Sequence, residues 1–421
     1  MRLHQRVAVI GTALTVAVGG FTVLSAGVAS AEPCGVTGVG STPFGNIFGS
    51  SSFGSSGAGG SDPQGPQGAL PDLGAGNTRA VSWVTGPRSP NSTYDRFGIS
   101  GTDLGISWDN GKGQTLMAFG DTFGNCSVSA GQWRSNVLLR SNDSNLADGI
   151  DVPNAVPGDV DSGSPADVPN FSREIVNSLK IPEVESTTIP TSAISIGNDQ
   201  YLNYMSVRSW GAPGRWVTNF SAIAKSSDNG QTWTTDQSTI RVNTGITLPG
   251  GGQVDRNQGK FQQVAYMKDR DGYVYQYGTP NGRFGAAYLS RFLPQDITTL
   301  GKYQYYTGAG TWSNNIADVK DTDVVVGDPV SEMSVAWNDY LKKYVMLYGN
   351  EVSGSIVART ADKPEGPWSG EKTLISRLQN NGGIYAPFIH PKSSGRDLYF
   401  TASQWSGYNV MIMRTDLDAL R

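Results

Sequence analysis

Short apolar runs broken by Gly-, Asn- and Asp-rich turns leave a chain few architectures, and here that pattern recurs five times with scarcely any helical 3.6-residue periodicity. In each unit an apolar run meets a turn and a second apolar run follows. The units are Gly105 to Phe119 around Asp109-Asn110-Gly111-Lys112-Gly113, Ala193 to Tyr204 around Gly197-Asn198-Asp199, and Val264 to Tyr277 around Asp269-Arg270-Asp271-Gly272. Met333 to Tyr348 around Asn338-Asp339-Tyr340 and Phe388 to Ala402 around Ser394-Gly395-Arg396 complete the set. Each reads as a β-hairpin. Their turn centres lie 55 to 87 residues apart, which suits blades carrying insertions better than the evenly spaced strands of a sandwich. The expected fold is therefore all-β, a five-bladed β-propeller over residues 79–421. Ser226-Ser227-Asp228-Asn229-Gly230-Gln231-Thr232-Trp233 has the form of an Asp box, a turn whose aspartate caps backbone N–H groups while the tryptophan packs between strands. Ser107-x-Asp109-x-Gly111 is a partial second copy, so Asp228 and Asp109 are read as turn formers.

What precedes the hairpins reads as an export signal and a spacer. Basic residues between Arg2 and Arg6, an apolar stretch from Val7 to Val28 and Ala29-Ser30-Ala31 have the layout of a signal peptide over 1–31. The apolar stretch is long enough to anchor in a bilayer, but its Gly and Ala content and the Ala-Ser-Ala end favour cleavage. A secreted protein, extracellular or associated with the cell wall, is the expectation. Residues 32–78 are dominated by Gly, Ser and Pro and read as a linker or disordered arm, and Asp148 to Asn170 as a long surface loop. Without the signal the formal charge moves from −4 to −6, because Arg2 and Arg6 leave with it. No cluster of Lys and Arg remains to neutralise phosphates, and no later segment is apolar enough to span a membrane, so nucleic acid and the bilayer drop out as partners. His390 is then the only histidine, and Cys34 and Cys126 the only cysteines. That inventory excludes an ordinary zinc site and leaves carboxylates as the natural catalysts. Export permits the two cysteines to pair, and the sequence leaves the bridge open. No organic cofactor is implied, a structural Ca²⁺ in the channel stays open although no dedicated loop signals it, and the chain is expected to be a monomer.

The first hairpin carries two aspartates at one end, Asp103 in Gly101-Thr102-Asp103-Leu104-Gly105 and Asp121 in Phe119-Gly120-Asp121-Thr122-Phe123-Gly124. If Asp109 to Gly113 is the loop, Trp108 faces Gln114, Asp103 faces Phe119, and Asp121 lies two residues further along on the same face. Such diagonal neighbours stand about 7–8 Å apart. An inverting glycosidase separates its acid and base carboxyls by roughly 6.5–9.5 Å and a retaining one by about 5–5.5 Å, so the pattern leans towards inversion. A one-residue slip would send the two aspartates to opposite faces. The plainer alternative is that both cap turns at a blade end.

These segments also carry a resemblance. Taken with Tyr204-Met205-Ser206-Val207-Arg208-Ser209-Trp210-Gly211, the Asp box, Ser334-Val335-Ala336-Trp337-Asn338 and Tyr385-Ala386-Pro387-Phe388-Ile389-His390-Pro391, the chain from about residue 80 to 421 resembles glycoside hydrolase family 183. These are endo-D-arabinofuranosidases, an actinobacterial domain of unknown function 4185 by its earlier description. The resemblance implies a five-bladed propeller that hydrolyses internal α-D-arabinofuranosyl bonds of arabinogalactan and lipoarabinomannan with inversion. It also implies that Asp103 and Asp121 are the catalytic pair. Between the two, the apolar flanks Phe119 and Phe123 suggest Asp121 as the acid and Asp103 as the base.

Polar residues near the first strand of each blade are the next candidates for substrate binding: Thr191, Ser192, Gln262, Gln263, Glu332 and Tyr385. Glu332 is as readily half of a structural salt bridge. Trp210, Trp216 and Trp405 are candidates for stacking on sugar rings, although most propeller tryptophans pack between blades, and Arg208 and Arg283 are candidates for sugar hydroxyls. His390 reads as a core histidine. The rival readings are a propeller glycosidase of another substrate and a non-catalytic wall-binding propeller. A sialidase would need an arginine triad and a Tyr-Glu pair that the sequence does not display.

Overall fold

The computed structural model describes Cys34, residues 62–65, 67–247 and 253–421. The expected signal segment, 1–31, and most of the expected arm lie outside the described residues. Five antiparallel sheets account for the five hairpins, and the first strand of each sheet is the inner one. Blade 1 runs Leu104–Asp109, Thr115–Phe119 and Val137–Ser141; blade 2 runs Thr187–Ile196, Asp199–Trp210, Trp216–Ser226 and Thr234–Val242. Blade 3 begins Gln263–Lys268, Val274–Thr279 and Gly285–Phe292, and blade 4 runs Met333–Asn338, Lys343–Asn350, Ser355–Ala361 and Lys372–Ile375. Blade 5 runs Ile384–Ile389, Asp397–Gln404 and Asn409–Asp416, and its outermost strand is Thr78–Trp83 from the other end of the domain. Inner strands touch in the cycle of blades 1, 2, 3, 4, 5 and back to 1, so the sheets close a ring, as the sequence pattern predicts.

The packing explains why the strands read as near-continuous apolar runs. Each sheet is covered on both faces, and a strand sends alternate side chains to its two neighbours. In Thr115–Phe119, buried throughout, Leu116 and Ala118 enter the cluster shared with blade 2, while Met117 and Phe119 enter the one shared with blade 5. The other clusters fill the remaining junctions: Tyr201 with Tyr266 between blades 2 and 3, Met267 with Met346 between 3 and 4, and Leu347 with Phe400 between 4 and 5. The Asp box stitches blade 2 to blade 1. Asp228 accepts from the Thr232 amide at 2.8 Å and its hydroxyl at 2.6 Å, and the buried Arg140 of blade 1 donates to the Asn229 carbonyl at 2.9 Å.

Two expectations about irregular segments need correction. The arm expected over 32–78 is packed at its end. Gln67 is buried and bridges the Thr85 carbonyl (2.8 Å) and the Arg88 amide (2.7 Å), and Leu73 sits in the cluster between blades 4 and 5. Apolar residues too sparse to build a core can still be taken up by one already formed. Cys34 and Cys126 form a disulfide. The expected surface loop Asp148 to Asn170 is likewise only partly superficial: Ile150, Val152 and Ala155 are buried, and the Gly163 carbonyl accepts from the Arg140 amide at 2.8 Å. This segment covers the open edge of the three-stranded blade 1, which would otherwise expose unpaired backbone groups.

Candidate active site

Asp103, Thr187, Gln263, Glu332 and Tyr385 stand at or just before the starts of the five inner strands, and therefore at one mouth of the ring. The first hairpin reaches that mouth by a route its sequence pattern did not show. Trp108 pairs with Leu116, not Gln114, and Leu104 rather than Asp103 pairs with Phe119, with a bulge between Leu104 and Ile106. Gly105 (φ +78°) and Leu104 (φ +73°) take the left-handed backbone that the bulge requires. An uncompensated slip would have parted the aspartates. Beyond Leu104 the opposite strand takes up the extra residue at Gly120, whose amide donates to the Asp103 carbonyl at 3.2 Å, and the ladder resumes at Gly101 with Phe123. The Thr102 and Thr122 hydroxyls meet at 2.7 Å, which sets the next residues inward, Asp103 and Asp121, across from each other instead of diagonally.

Both carboxyls are partly exposed and both are shifted upward. Asp121 Oδ1 accepts from Trp133 Nε1 (2.8 Å) and Thr187 Oγ1 (2.7 Å), while Oδ2 takes no hydrogen bond from the described residues. Burial pushes its pKa up to about 6 against the pull of those two donors, with Glu174 raising it and Lys180 lowering it. Asp103 Oδ2 accepts from the Tyr385 hydroxyl at 2.9 Å, and Oδ1 is buried with no hydrogen-bond partner of good geometry among the described residues. Its pKa is pushed up to about 7, by burial first and then by the charge of Asp121; Tyr385 and Arg283 pull it down and Glu332 pushes it up. The coupling acts on Asp103 because Asp121, with two donors, ionises first, and its charge then opposes the second ionisation. Burial and coupling raise the Asp103 carboxyl the further of the two, the opposite order to the one the phenyl flanks suggest. The phenyl flanks do not decide it; the donors supplied from blade 2 and the Trp133 loop do.

The other candidates separate sharply. Arg283 and Glu332 form a bidentate pair at 3.0 to 3.1 Å, with both side chains about one-seventh exposed. The Arg283 guanidinium lies 4.8 Å from the Tyr385 ring centroid and 5.8 Å from that of Trp216. Glu351 faces the same cation, its carboxyl raised chiefly by burial. Glu332 is thus both half of an ion pair and a neighbour of Asp103. Trp405 is 41% exposed and meets Tyr385 edge-on at 5.8 Å, and Trp210 meets the buried Trp216 at 5.6 Å. Arg208 is exposed on the rim, beside Val207, which pairs with Thr187. Gln262 does not face the mouth: it is fully buried and committed to Thr218 Oγ1 and the Arg241 carbonyl. Thr191 and Ser192 are tied up as well, on Asn203 Oδ1 (2.9 Å) and the Tyr266 amide (2.9 Å). Gln263 donates to the Pro280 and Gly282 carbonyls, and with Glu332 and Thr191 lines a small cavity in the channel beneath the pair. His390 is buried and held neutral, its pKa lowered to about 3 mainly by burial.

Several mouth residues carried no sequence signal. Trp133 and Thr187 grip Asp121, Lys180 spans Glu174 (2.7 Å) and the Trp133 ring (5.0 Å), and Tyr408 lies against Asp103, its phenol raised by burial first and then by the Asp103 charge. Only Trp133 and Tyr408, aromatic residues in loops that follow a second strand, carried even a hint, and Thr187 and Lys180 carried none. Among the described residues no cluster of three or more His, Cys, Asp or Glu is placed to hold a metal ion. The arrangement offers two carboxyls in unequal electrostatic settings, the configuration that lets one hold a proton while the other accepts one.

The family model described as a domain of unknown function, DUF4185, matches residues 88–414. Notoamide biosynthesis cluster protein J of Aspergillus sp. (strain MF297-2) is 28% identical over 331 residues, covering 76% of this chain and 84% of that protein. An uncharacterised 35.9 kDa protein of Mycolicibacterium smegmatis is 24% identical over 326 residues, covering 74% and 88%. Among solved structures, a Bacteroides ovatus protein that carries only a provisional hydrolase description aligns with a TM-score of 0.51 at 15% identity, over 77% of this chain and 88% of that one.

Proposed function

The chain belongs to the DUF4185 family, and on that premise we propose that it is a secreted glycoside hydrolase of family 183. In this reading it cleaves internal α-D-arabinofuranosyl linkages of cell-wall arabinan, in arabinogalactan and lipoarabinomannan, with inversion. The observation that carries the hydrolase reading is the pair of carboxyls set across from each other at one mouth of the ring, Asp103 held by Tyr385 and Asp121 by Trp133 and Thr187, with burial raising both. The choice of arabinan and of inversion rests on the motif resemblance, because the aspartates stand across from each other and the diagonal-spacing argument for inversion no longer applies. Between the two values, just below neutral pH, the most populated state has Asp121 ionised and Asp103 protonated. Asp121 Oδ2, which takes no hydrogen bond from the described residues, takes a proton from a water as that water's oxygen attacks the anomeric carbon. The glycosidic C–O bond breaks and the leaving oxygen takes the Asp103 proton, so one carboxyl gains what the other gives up.

Mature protein, expected to begin at residue 32, should release new reducing ends from arabinogalactan, with oligosaccharides visible by mass spectrometry. Asp103→Asn and Asp121→Asn should each abolish release while the protein still melts cooperatively. Retention of the polymer without any oligosaccharide would reject the hydrolase reading in favour of a wall-binding propeller. Near-normal turnover in either variant would remove that residue from the pair.

A further inference from the structure

We propose that Gly120 is the positioning residue for Asp103, its missing Cβ forming the dry niche in which Asp103 Oδ1 is seated. This deepens the hydrolase reading and rests on it for its catalytic meaning. A Cβ built on Gly120 would fall 2.4 Å from Asp103 Oδ1 and 3.2 Å from Leu104 Cδ1, with Asp103 Cγ at 3.5 Å. The first distance is far inside van der Waals contact. Gly120 is not among the residues with positive φ, so its backbone would accept alanine and only the space would not.

The niche has a specific chemical effect. Oδ1 is buried and takes no hydrogen bond of good geometry from the described residues, although the Tyr408 phenol lies beside the Asp103 carboxyl, whereas a surface carboxylate oxygen would be hydrated. Stripping water from one oxygen penalises the charged form of the group. Meanwhile Tyr385 holds Oδ2 at 2.9 Å, so the carboxyl cannot swing freely. Gly120 on one side and Tyr385 on the other thus fix the plane of the carboxyl, leaving Oδ2 as the oxygen that exchanges the proton. The same glycine supplies the residue that cancels the Gly105 bulge and brings the two aspartates face to face. Its amide donates to the Asp103 carbonyl at 3.2 Å, which ties the niche to the main chain of the group it seats.

The atom that must yield to a new Cβ is the end of a side chain, not backbone, so Gly120→Ala should fold and expel Oδ1 towards water. Carbon-13 NMR titration of the Asp103 carboxyl in wild type and G120A tests this without any substrate. The expected result is an acid dissociation constant at least tenfold larger in G120A, and an alkaline limb of kcat/KM on arabinogalactan that moves down in step. A folded G120A with an unchanged Asp103 titration would overturn the proposal. Should G120A fail to fold, the double variant D103A/G120A must melt like D103A, because the clashing oxygen is gone; a double variant that also fails to fold overturns the proposal too. Wild-type protein inactive on arabinan would reject the proposed function and leave the titration result standing.

Discussion

Replacing Tyr385 by Phe removes one hydroxyl and keeps the ring, and so isolates a single hydrogen bond to the proposed acid. Arg283 at 4.8 Å and Trp405 at 5.8 Å from that ring keep their partner. The lost bond is the 2.9 Å contact to Asp103 Oδ2, and Tyr385 is the largest influence pulling the Asp103 pKa down. A hydrogen bond to a charged acceptor contributes roughly 1.5–3 kcal/mol, equivalent to about 1–2 pH units. Asp103 is partly exposed, so water recovers some of that, and a rise of about one unit is the expectation. The sign follows directly: the hydroxyl stabilises the carboxylate, so its loss favours the protonated acid. In the kcat/KM profile on arabinogalactan the alkaline limb should move from about 7 to about 8, while the acidic limb, set by Asp121, stays near about 6. With limbs about one unit apart, only roughly 60% of the wild-type enzyme holds the productive protonation state at the optimum, so Y385F should also broaden the bell. An alkaline limb that stays put or moves down would refute both the role of Tyr385 and the assignment of Asp103 as acid. The two variants on either side of Asp103 thus move one limb in opposite directions, a pattern that general loosening of the site would not give.

Both aspartates have folded pKa values above their unfolded ones, so ionising them costs stability, and that cost appears as pH rises from about 4 through about 7. Asp103→Asn should therefore melt higher than wild type at pH 8, by ~1–2 kcal/mol once solvent access is allowed for, and no higher at pH 4; the reverse ordering in calorimetry would contradict the burial argument. Arg283→Met leaves the Glu332 carboxylate without its bidentate partner and should cost ~2–4 kcal/mol by denaturant titration, most of it recovered by adding Glu332→Gln; no recovery would mean that the pair is not the source. Cys126→Ser opens the link across 92 positions, and a loss of about 2–4 kcal/mol in thermal unfolding is expected, with an unchanged melting curve counting against the bridge.

The sequence by itself determined the strands, their grouping into five hairpins and the acidic end of the first hairpin, because turn chemistry and strand periodicity are local properties. Asp228 in its box and His390 in the core were legible for the same reason. Only the tertiary structure decided the rest. Closure of blade 5 by Thr78–Trp83 joins residues more than three hundred positions apart, and no local pattern signals it. The two offsetting irregularities at Gly105 and Gly120 are each invisible to a strict alternation count, yet together they restore the facing pair that a single slip would have destroyed. Gln262 was misplaced because polarity does not reveal whether a side chain's partners lie in the mouth or in the wall. The order of the two carboxyls is beyond a local reading for a related reason. A pKa depends on solvent exclusion and on donors from several blades, here Trp133, Thr187 and Tyr385, and those distances exist only once the ring has closed.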